Sequence, residues 1–219
     1  PHYVSTIQPN PENKIRDRLE LFSQFCDQAV ISYPELRPYV EPYFDNVVHI
    51  PRTVSVENLE PSYNIGSEKP LIVHSPSDRK KKGTESIRGA VDALQNEFEF
   101  EFRILEGMDN NRIIETFQEA DIMIDQLRIG TYGVAALKAM ACGTPAIAYI
   151  RDDLLNKQPS ELPIINANPD TIESVLRELL ADPETLTEAG RVSRKYVEAH
   201  HDRREVAKDW IDLYQQHIG

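Results

Sequence analysis

The sequence predicts an α/β fold: a Rossmann-like, doubly wound parallel sheet preceded by a partial α/β segment. Two observations carry this. From residue 70 onward, short apolar runs alternate with stretches of helical periodicity, and that alternation implies right-handed βαβ crossovers and a parallel sheet. Before residue 70 the alternation is only partial. Residues 53–70, with scattered Pro, Ser, Asn and Gly and no clear period, read as an inter-domain linker.

Residues 13–28 read as a helix with Ile15, Leu19 and Phe22 on one face. A β-prone run over 29–33 is cut off by Pro34, and Pro38 and Pro42 confine the next stretch to turns or a brief helix. A short strand over 47–50 ends at Pro51. Leu71, Ile72 and Val73 form the first strand of the main sheet. A helix starts at Thr84, with Ile87, Ala90, Val91 and Leu94 at helical spacing. Strands are expected over 100–105, 121–127, 146–150 and 163–167. Helices lie between them, one marked by Ile113, Ile114 and Phe117 and another over 133–141. Three helices close the chain, over 171–180, 183–200 and 202–217. Asp170, Asp182 and Asp202 stand ready as caps, and Pro183 suits a first helical turn.

The chain has 219 residues and a formal net charge of -12. That length suits one large α/β domain, or one domain plus a fragment. The acidic balance argues against nucleic acid, whose affinity rests on neutralising phosphates, and against docking on anionic lipid. No apolar run is long enough to span a bilayer and no signal peptide opens the chain, so no transmembrane segment and a cytoplasmic setting are expected. The two cysteines, Cys26 and Cys142, lack metal-ligand spacing, and no Asp-Xaa-Asp metal motif is visible; no metal is expected. Cys142 reads as a buried small hydrophobe, and His200 and His201 read as part of a helix junction. The first residue is Pro1, which a processed or a truncated chain would show.

Three segments carry candidate chemistry. The first runs from His74 through Ser77, Asp78, Arg79, Lys80, Lys81, Lys82 and Gly83 to Thr84, a cationic turn between a strand and a helix. Ligands of open α/β sheets bind outside the carboxyl ends of the strands, and cations beside a helix N-terminus suit phosphate. A solvated basic turn is the structural alternative. The second runs from Asp125 through Gly130, Thr131, Tyr132 and Gly133 to Val134. Its glycines permit close approach by a ligand, and free N–H groups of the following helix can receive a phosphate oxygen. The alternative is an ordinary glycine-bearing turn. The third is the string Ala139, Met140, Ala141, Cys142, Gly143, Thr144, Pro145, in which small residues let a helix lie close to the sheet and Gly143 serves as a C-cap.

In this order the three segments resemble the C-terminal domain of the GT-B glycosyltransferases, and most closely the retaining enzymes called glycosyltransferase family four, or group one. Lys82-Gly83 takes the place of the family's Lys-Gly turn. Lys138-Ala139-Met140-Ala141-Cys142-Gly143-Thr144-Pro145 takes the place of its Glu-Ala-Met-Ala-Xaa-Gly-Xaa-Pro string. The resemblance covers about residues 70–219 and implies a two-domain enzyme whose C-terminal half holds the donor. It divides the chain into 1–60, a remnant of the acceptor-side domain, 61–70, a linker, and 71–219, the nucleotide-sugar-binding domain; the rest of the N-terminal domain would be missing.

By resemblance the full-length protein would move a sugar from a UDP- or GDP-linked donor to a glycan, lipid or protein acceptor that the sequence does not name, without a cofactor and with retention of configuration. Arg79 and Lys82 would stabilise the leaving diphosphate. His74, Ser77, Gly83, Asp125, Gly130, Thr131, Tyr132, Gly133, Val134 and Lys138 would form the donor site, with Thr131 and Tyr132 lining the sugar pocket. The sequence departs from the family at three places. Gly130 and Lys138 stand where the family carries two glutamates, and Ser77 stands where it carries an arginine that Arg79 replaces. Lysine cannot accept a hydrogen bond, so Lys138 cannot do what the second glutamate does for the ribose. Lys138 keeps a second reading open: a non-catalytic GT-B-like domain in a glycan-synthesis assembly.

Overall fold

The computed structural model describes residues 12–63 and 69–218. The first part holds helix α1 (Glu12–Ser23), strand β1 (Gln28–Ile31), a 3-10 turn (Pro34–Leu36), the single helical turn α2 (Arg37–Val40) and strand β2 (Asn46–His49). β1 and β2 pair in parallel, Gln28 opposite Asn46 and Ile31 opposite His49. Helix α1 ends five residues earlier than its pattern suggests, because Gln28 is claimed by the ladder with β2; tertiary pairing overrides local propensity. Its expected apolar face is open, with Ile15 41% and Phe22 57% exposed.

The second part is a five-stranded parallel sheet in the order β4-β3-β5-β6-β7. Its strands are β3 (Leu71–His74), β4 (Glu101–Ile104), β5 (Ile122–Ile124), β6 (Ala146–Ala148) and β7 (Ile165–Asn166). Between them run α3 (Arg79–Lys82), α4 (Thr84–Leu94), α5 (Asn110–Glu119), α6 (Val134–Ala141) and α7 (Asp152–Leu155). The closing helices are α8 (Ile172–Ala181), α9 (Glu184–His200) and α10 (Arg203–Ile218). Strand side chains alternate between faces. Leu71, Val73, Met123, Ala146 and Ala148 pack on one side with α5, α6 and α9, while Ile72, Ile122, Ile124 and Ile147 pack on the other with α4 and α8. The doubly wound expectation is met: the sheet has helices on both faces. Strand β5 is shorter than expected and ends at Ile124; Asp125, just beyond it, still donates its amide to the Ile147 carbonyl of β6 at 2.8 Å, at the carboxyl edge of the sheet.

The expected linker is partly ordered core. Val54, Val56 and Leu59 are buried in the same cluster as Leu71 and Val73. Val54 also bridges to Asp202, its N–H donating to the His201 carbonyl at 2.9 Å and its carbonyl accepting from Arg203 at 3.1 Å. The Arg194 guanidinium donates to the carbonyls of Leu59 and Ala141, tying this segment to the carbonyl end of α6, where a cation is favoured. The string from Ala139 to Pro145 explains itself as packing. Gly143 caps α6 at φ +85°, and Gly190 of α9 sits so close that a Cβ there would lie 2.0 Å from the Gly143 carbonyl oxygen. Two caps differ from expectation. Before α8 it is Asn168, not Asp170, whose side chain accepts the amides of Asp170 and Thr171, and α9 starts at Pro183 without a side-chain cap. Asp202 does cap, accepting from the Arg204 amide at 2.8 Å.

Candidate functional site

The sheet order fixes where a ligand crevice lies. The chain leaves β3 outward to β4 and then returns to the other side of β3 to form β5, so the winding reverses between β3 and β5. In open α/β sheets such a switch point opens a crevice outside the carboxyl ends of the two strands. The first two candidate segments are the loops that leave those ends.

The β3–α4 loop is more structured than a basic turn. Asp78 accepts the Lys81 amide at 2.9 Å and caps α3, which closes on Gly83 at φ +80°. The cationic run is therefore one helical turn, and its side chains fan out in different directions. Arg79 is exposed and makes a two-toothed pair with Glu106 (2.9 and 2.5 Å). Lys82 turns inward, is 8% exposed, and donates to Asp125. Ser77 is exposed and Gly83 buried.

His74 is fully buried. Its Nδ1 lies 2.7 Å from the Ile124 carbonyl, which can only accept, so Nδ1 carries the proton and Nε2 accepts from the Thr84 hydroxyl at 2.9 Å. Burial lowers its pKa and keeps it neutral. Both nitrogens are bonded inside the protein, and the ring pins the start of α4 to the end of β5.

In the β5–α6 loop, Asp125 has no exposed surface and binds two partners at once: the Lys82 ammonium and the Gly133 amide. Its carboxylate occupies the place at the α6 N-terminus where an anion is favoured. The N–H of Gly133, expected to be open for phosphate, is thus taken. A Cβ at Gly133 would lie 3.0 Å from Asp125 Oδ2 and 3.2 Å from Lys82 Nζ, so any larger residue would have to displace these side-chain ends by a few tenths of an ångström. Gly130, at φ +93°, is covered by Arg151: a Cβ there would lie 2.7 Å from Arg151 Cγ. Arg151 itself pairs with Asp153 through two contacts of 2.8 Å. Thr131 is buried, its carbonyl accepting from the Gln126 side chain. Gly133 and Val134 are half-buried at the rim.

Tyr132 departs from expectation. Its side chain is buried with its hydroxyl 3.1 Å from His201 Nε2 and 3.3 Å from the Tyr196 hydroxyl. His201 Nδ1 faces the Arg52 carbonyl at 2.7 Å, so Nδ1 donates and Nε2 accepts from Tyr132. Burial holds the His201 pKa down to about 4. This group borders a cavity of about 580 Å³ lined by His49, Tyr132, Gln158, Tyr196, His200 and His201. Tyr132 therefore fastens the β5–α6 loop to the junction of α9 and α10. That a neighbouring loop would capture the ring was not visible in the spacing.

Lys138 lies one turn into α6, half-buried, with its ammonium 2.5 Å from Asn110 Oδ1 at the start of α5. It is neither free in solvent nor directed at Asp125. Among the described residues no group of three or more His, Cys, Asp or Glu side chains is placed to hold a metal, and no helix is long and apolar enough to cross a membrane.

No protein-family profile and no curated protein matches the sequence. Solved structures do match. Sucrose-phosphate synthase from Thermosynechococcus elongatus superposes with a TM-score of 0.72 at 17% identity, over 96% of this chain and 64% of that one. Anabaena HepE, determined in complex with UDP and glucose, gives 0.73 at 9% identity over 94% and 67%. The C-terminal domain of LpcC, a group 1 glycosyl transferase from Francisella tularensis, gives 0.51 at 16% identity over 68% of this chain and 99% of that domain. The fold is that of a GT-B glycosyltransferase C-terminal domain. The chain spans about two thirds of the length of the first two of these proteins.

Two charged residues at the carboxyl edge of the sheet were not among those the sequence pointed to. Glu106, the partner of Arg79, follows β4 by two residues, and Arg151, which covers Gly130, comes shortly after β6. Both stand just beyond strand ends, so a search for charged residues at the carboxyl edge would have found them.

Proposed function

We propose that this chain binds a nucleoside diphosphate sugar in the crevice outside β3 and β5 and that, with further chain on the acceptor side, it transfers the sugar to a glycan or another conjugate acceptor. The observation that carries the reading is the convergence of Lys82, Asp125 and the α6 N-terminus at the switch point of a GT-B sheet. The likeness to HepE, whose structure holds UDP and glucose, supports a uridine diphosphate donor. The match of 68% of this chain to an isolated group 1 C-terminal domain supports placing the donor half in the larger part.

Arg79 and Lys82 would stabilise the diphosphate as the glycosidic bond breaks, because cations fixed before the reaction lower the energy of charge that develops in it. Arg79 binds Glu106 through Nε and Nη2, which leaves Nη1 for a phosphate oxygen. Lys82 gives one of its three N–H bonds to Asp125. The Asp125 carboxylate keeps the α6 N-terminus and Lys82 in register and must yield or share these donors when a diphosphate arrives. Ser77, Gly83 and Val134 form the rim of this site, with cationic side chains and the helix dipole in place of a divalent ion.

One observation favours a second reading, a non-catalytic domain in a glycan-synthesis assembly: Lys82, Arg79 and Lys138 each have a partner within the protein. Calorimetry with UDP, GDP and ADP at low and high salt separates the two. Binding of UDP or GDP that weakens with salt supports the donor site, and no binding of any of the three supports the second reading. Lys138→Ala tests the lysine within it: unchanged affinity for UDP and GDP makes Lys138 a bystander.

A further inference from the structure

His201 stands where two distant parts of the chain meet. Its Nδ1 lies 2.7 Å from the carbonyl oxygen of Arg52, beyond β2, and its Nε2 lies 3.1 Å from the hydroxyl of Tyr132 in the β5–α6 loop. Its backbone is held as well: the His201 amide donates to the Val197 carbonyl at 2.9 Å, and the His201 carbonyl accepts from the Val54 amide at 2.9 Å. The direction of each side-chain bond follows from the donors available. The Arg52 carbonyl only accepts, so Nδ1–H donates to it and Nε2 accepts the Tyr132 proton. With that proton given to His201, the Tyr132 oxygen accepts from the Tyr196 hydroxyl, 3.3 Å away. Gln158 Oε1, at 3.5 Å, is the more distant acceptor for the Tyr132 hydroxyl. The result is one directed chain of hydrogen bonds, Tyr196 to Tyr132 to His201 to Arg52, in which the first three residues are only 3%, 7% and 4% exposed.

Replacing both partners of a buried hydrogen bond by apolar groups of the same shape is nearly neutral for stability. A satisfied polar network instead fixes one arrangement. The arrangement fixed here is that of the β5–α6 loop. Tyr132 precedes Gly133, whose amide donates to Asp125, and Asp125 holds Lys82. At the other end of the chain of bonds, the segment from Arg52 to Val54 is joined to the α9–α10 junction by side chain and backbone alike. We propose that His201 is a positioning residue for nucleotide binding: through Tyr132 it holds the β5–α6 loop, and with it the start of α6, in the place where the diphosphate is received. The inference rests on the donor-site reading above and extends it to the junction of the closing helices.

The test uses Tyr132→Phe, His201→Leu and the double variant, with UDP and GDP as the probes in calorimetry. Each single variant is expected to bind the nucleotide that the wild type takes about fivefold more weakly, equivalent to about 1 kcal/mol. The double variant is expected to lose no more than the weaker of the two, because the same hydrogen bond is removed each time. Amide hydrogen exchange in the chain without nucleotide is the second readout. In both single variants the Gly133 amide is expected to exchange faster by a larger factor than the amide of Met123, which donates to the Pro145 carbonyl within the sheet, because the opening is local. A merely structural role accelerates both amides alike. Tyr132→Phe keeps the ring and removes one oxygen, so it decides by itself, through affinity and Gly133 exchange, if His201→Leu does not fold. The role of His201 is overturned if a folded variant binds the nucleotide as tightly as the wild type, if the two losses add in the double variant, or if Gly133 is accelerated no more than Met123. Those results leave the donor site standing where UDP or GDP still binds the wild type; binding of neither overturns both readings.

Discussion

Lys82 and Asp125, 43 residues apart, form a nearly dry ion pair where the two central strands of the sheet end, with side-chain exposures of 10% and 0%. Isolating one charge at such a depth is expensive. Lys82→Met is expected to cost about 3–5 kcal/mol in urea unfolding, because Asp125 is left buried with only the Gly133 amide. Lys82→Met combined with Asp125→Leu is expected to recover much of that loss. Equal destabilisation in the single and double variants would show that the charges do not act as a pair.

Glycine at position 190 is required by contact, not by dihedral angle. Gly190→Ala sets a methyl 2.0 Å from the Gly143 carbonyl oxygen, a backbone atom that cannot swing away. Overpacking of this kind costs about 1–3 kcal/mol. Gly89 in α4 is the control: nothing lies within 4 Å of its added Cβ, and Gly89→Ala is expected to stabilise by about 0.5–1 kcal/mol through helix propensity. Thermal melts of the two variants should move in opposite directions.

The buried imidazole of His201 sets an acid limit on the junction of α9 and α10. Its pKa in the folded chain, about 4, lies below the ordinary 6.5 because burial disfavours the charged ring. The unfolded chain therefore takes up the proton first as pH falls. Stability is full above about 6.5 and declines toward 4, by about 3 kcal/mol in order of magnitude. Buried His74 is lowered in the same direction. Urea unfolding at pH 7 and pH 4.5 on wild type and His201→Gln checks this: the variant should show the smaller pH dependence.

The two thiols should differ sharply in reactivity. Cys142 is buried, with its pKa pushed up to about 11 by that burial, while Cys26 is exposed. The thiolate is the reacting species, so a maleimide at pH 7.5 is expected to modify Cys26 quickly and Cys142 only on unfolding. Rapid labelling of a Cys26→Ser variant would contradict the packing of α6.

Much of the main sheet was legible because its strands are continuous apolar runs and its helices keep their period; Ile87, Ala90, Val91 and Leu94 all proved buried. The location of the crevice was legible too, since the Lys82-Gly83 and Gly130–Gly133 turns follow strands that proved adjacent. What was hidden is side-chain direction. Nothing in the spacing says that Tyr132 turns toward His201 and Tyr196, or that Asp125 fills the helix N-terminus reserved for phosphate, because both depend on partners 69 and 8 residues away. The burial of Val54, Val56 and Leu59 was hidden for a related reason: they lack a period, yet each finds a place in the core and the segment is clamped by Arg194.

The central claim is that a nucleoside diphosphate binds at the carboxyl ends of β3 and β5. Backbone amide chemical shifts recorded while UDP, and separately GDP, is titrated into the isotope-labelled chain test it most directly. One of the two nucleotides is expected to produce saturable shifts centred on Gly83, Thr84, Gly133 and Val134, with little change around His49 and Tyr196. Saturable shifts confined to the cavity beside His49 and Tyr196, or no shifts with either nucleotide at millimolar concentration, would contradict it.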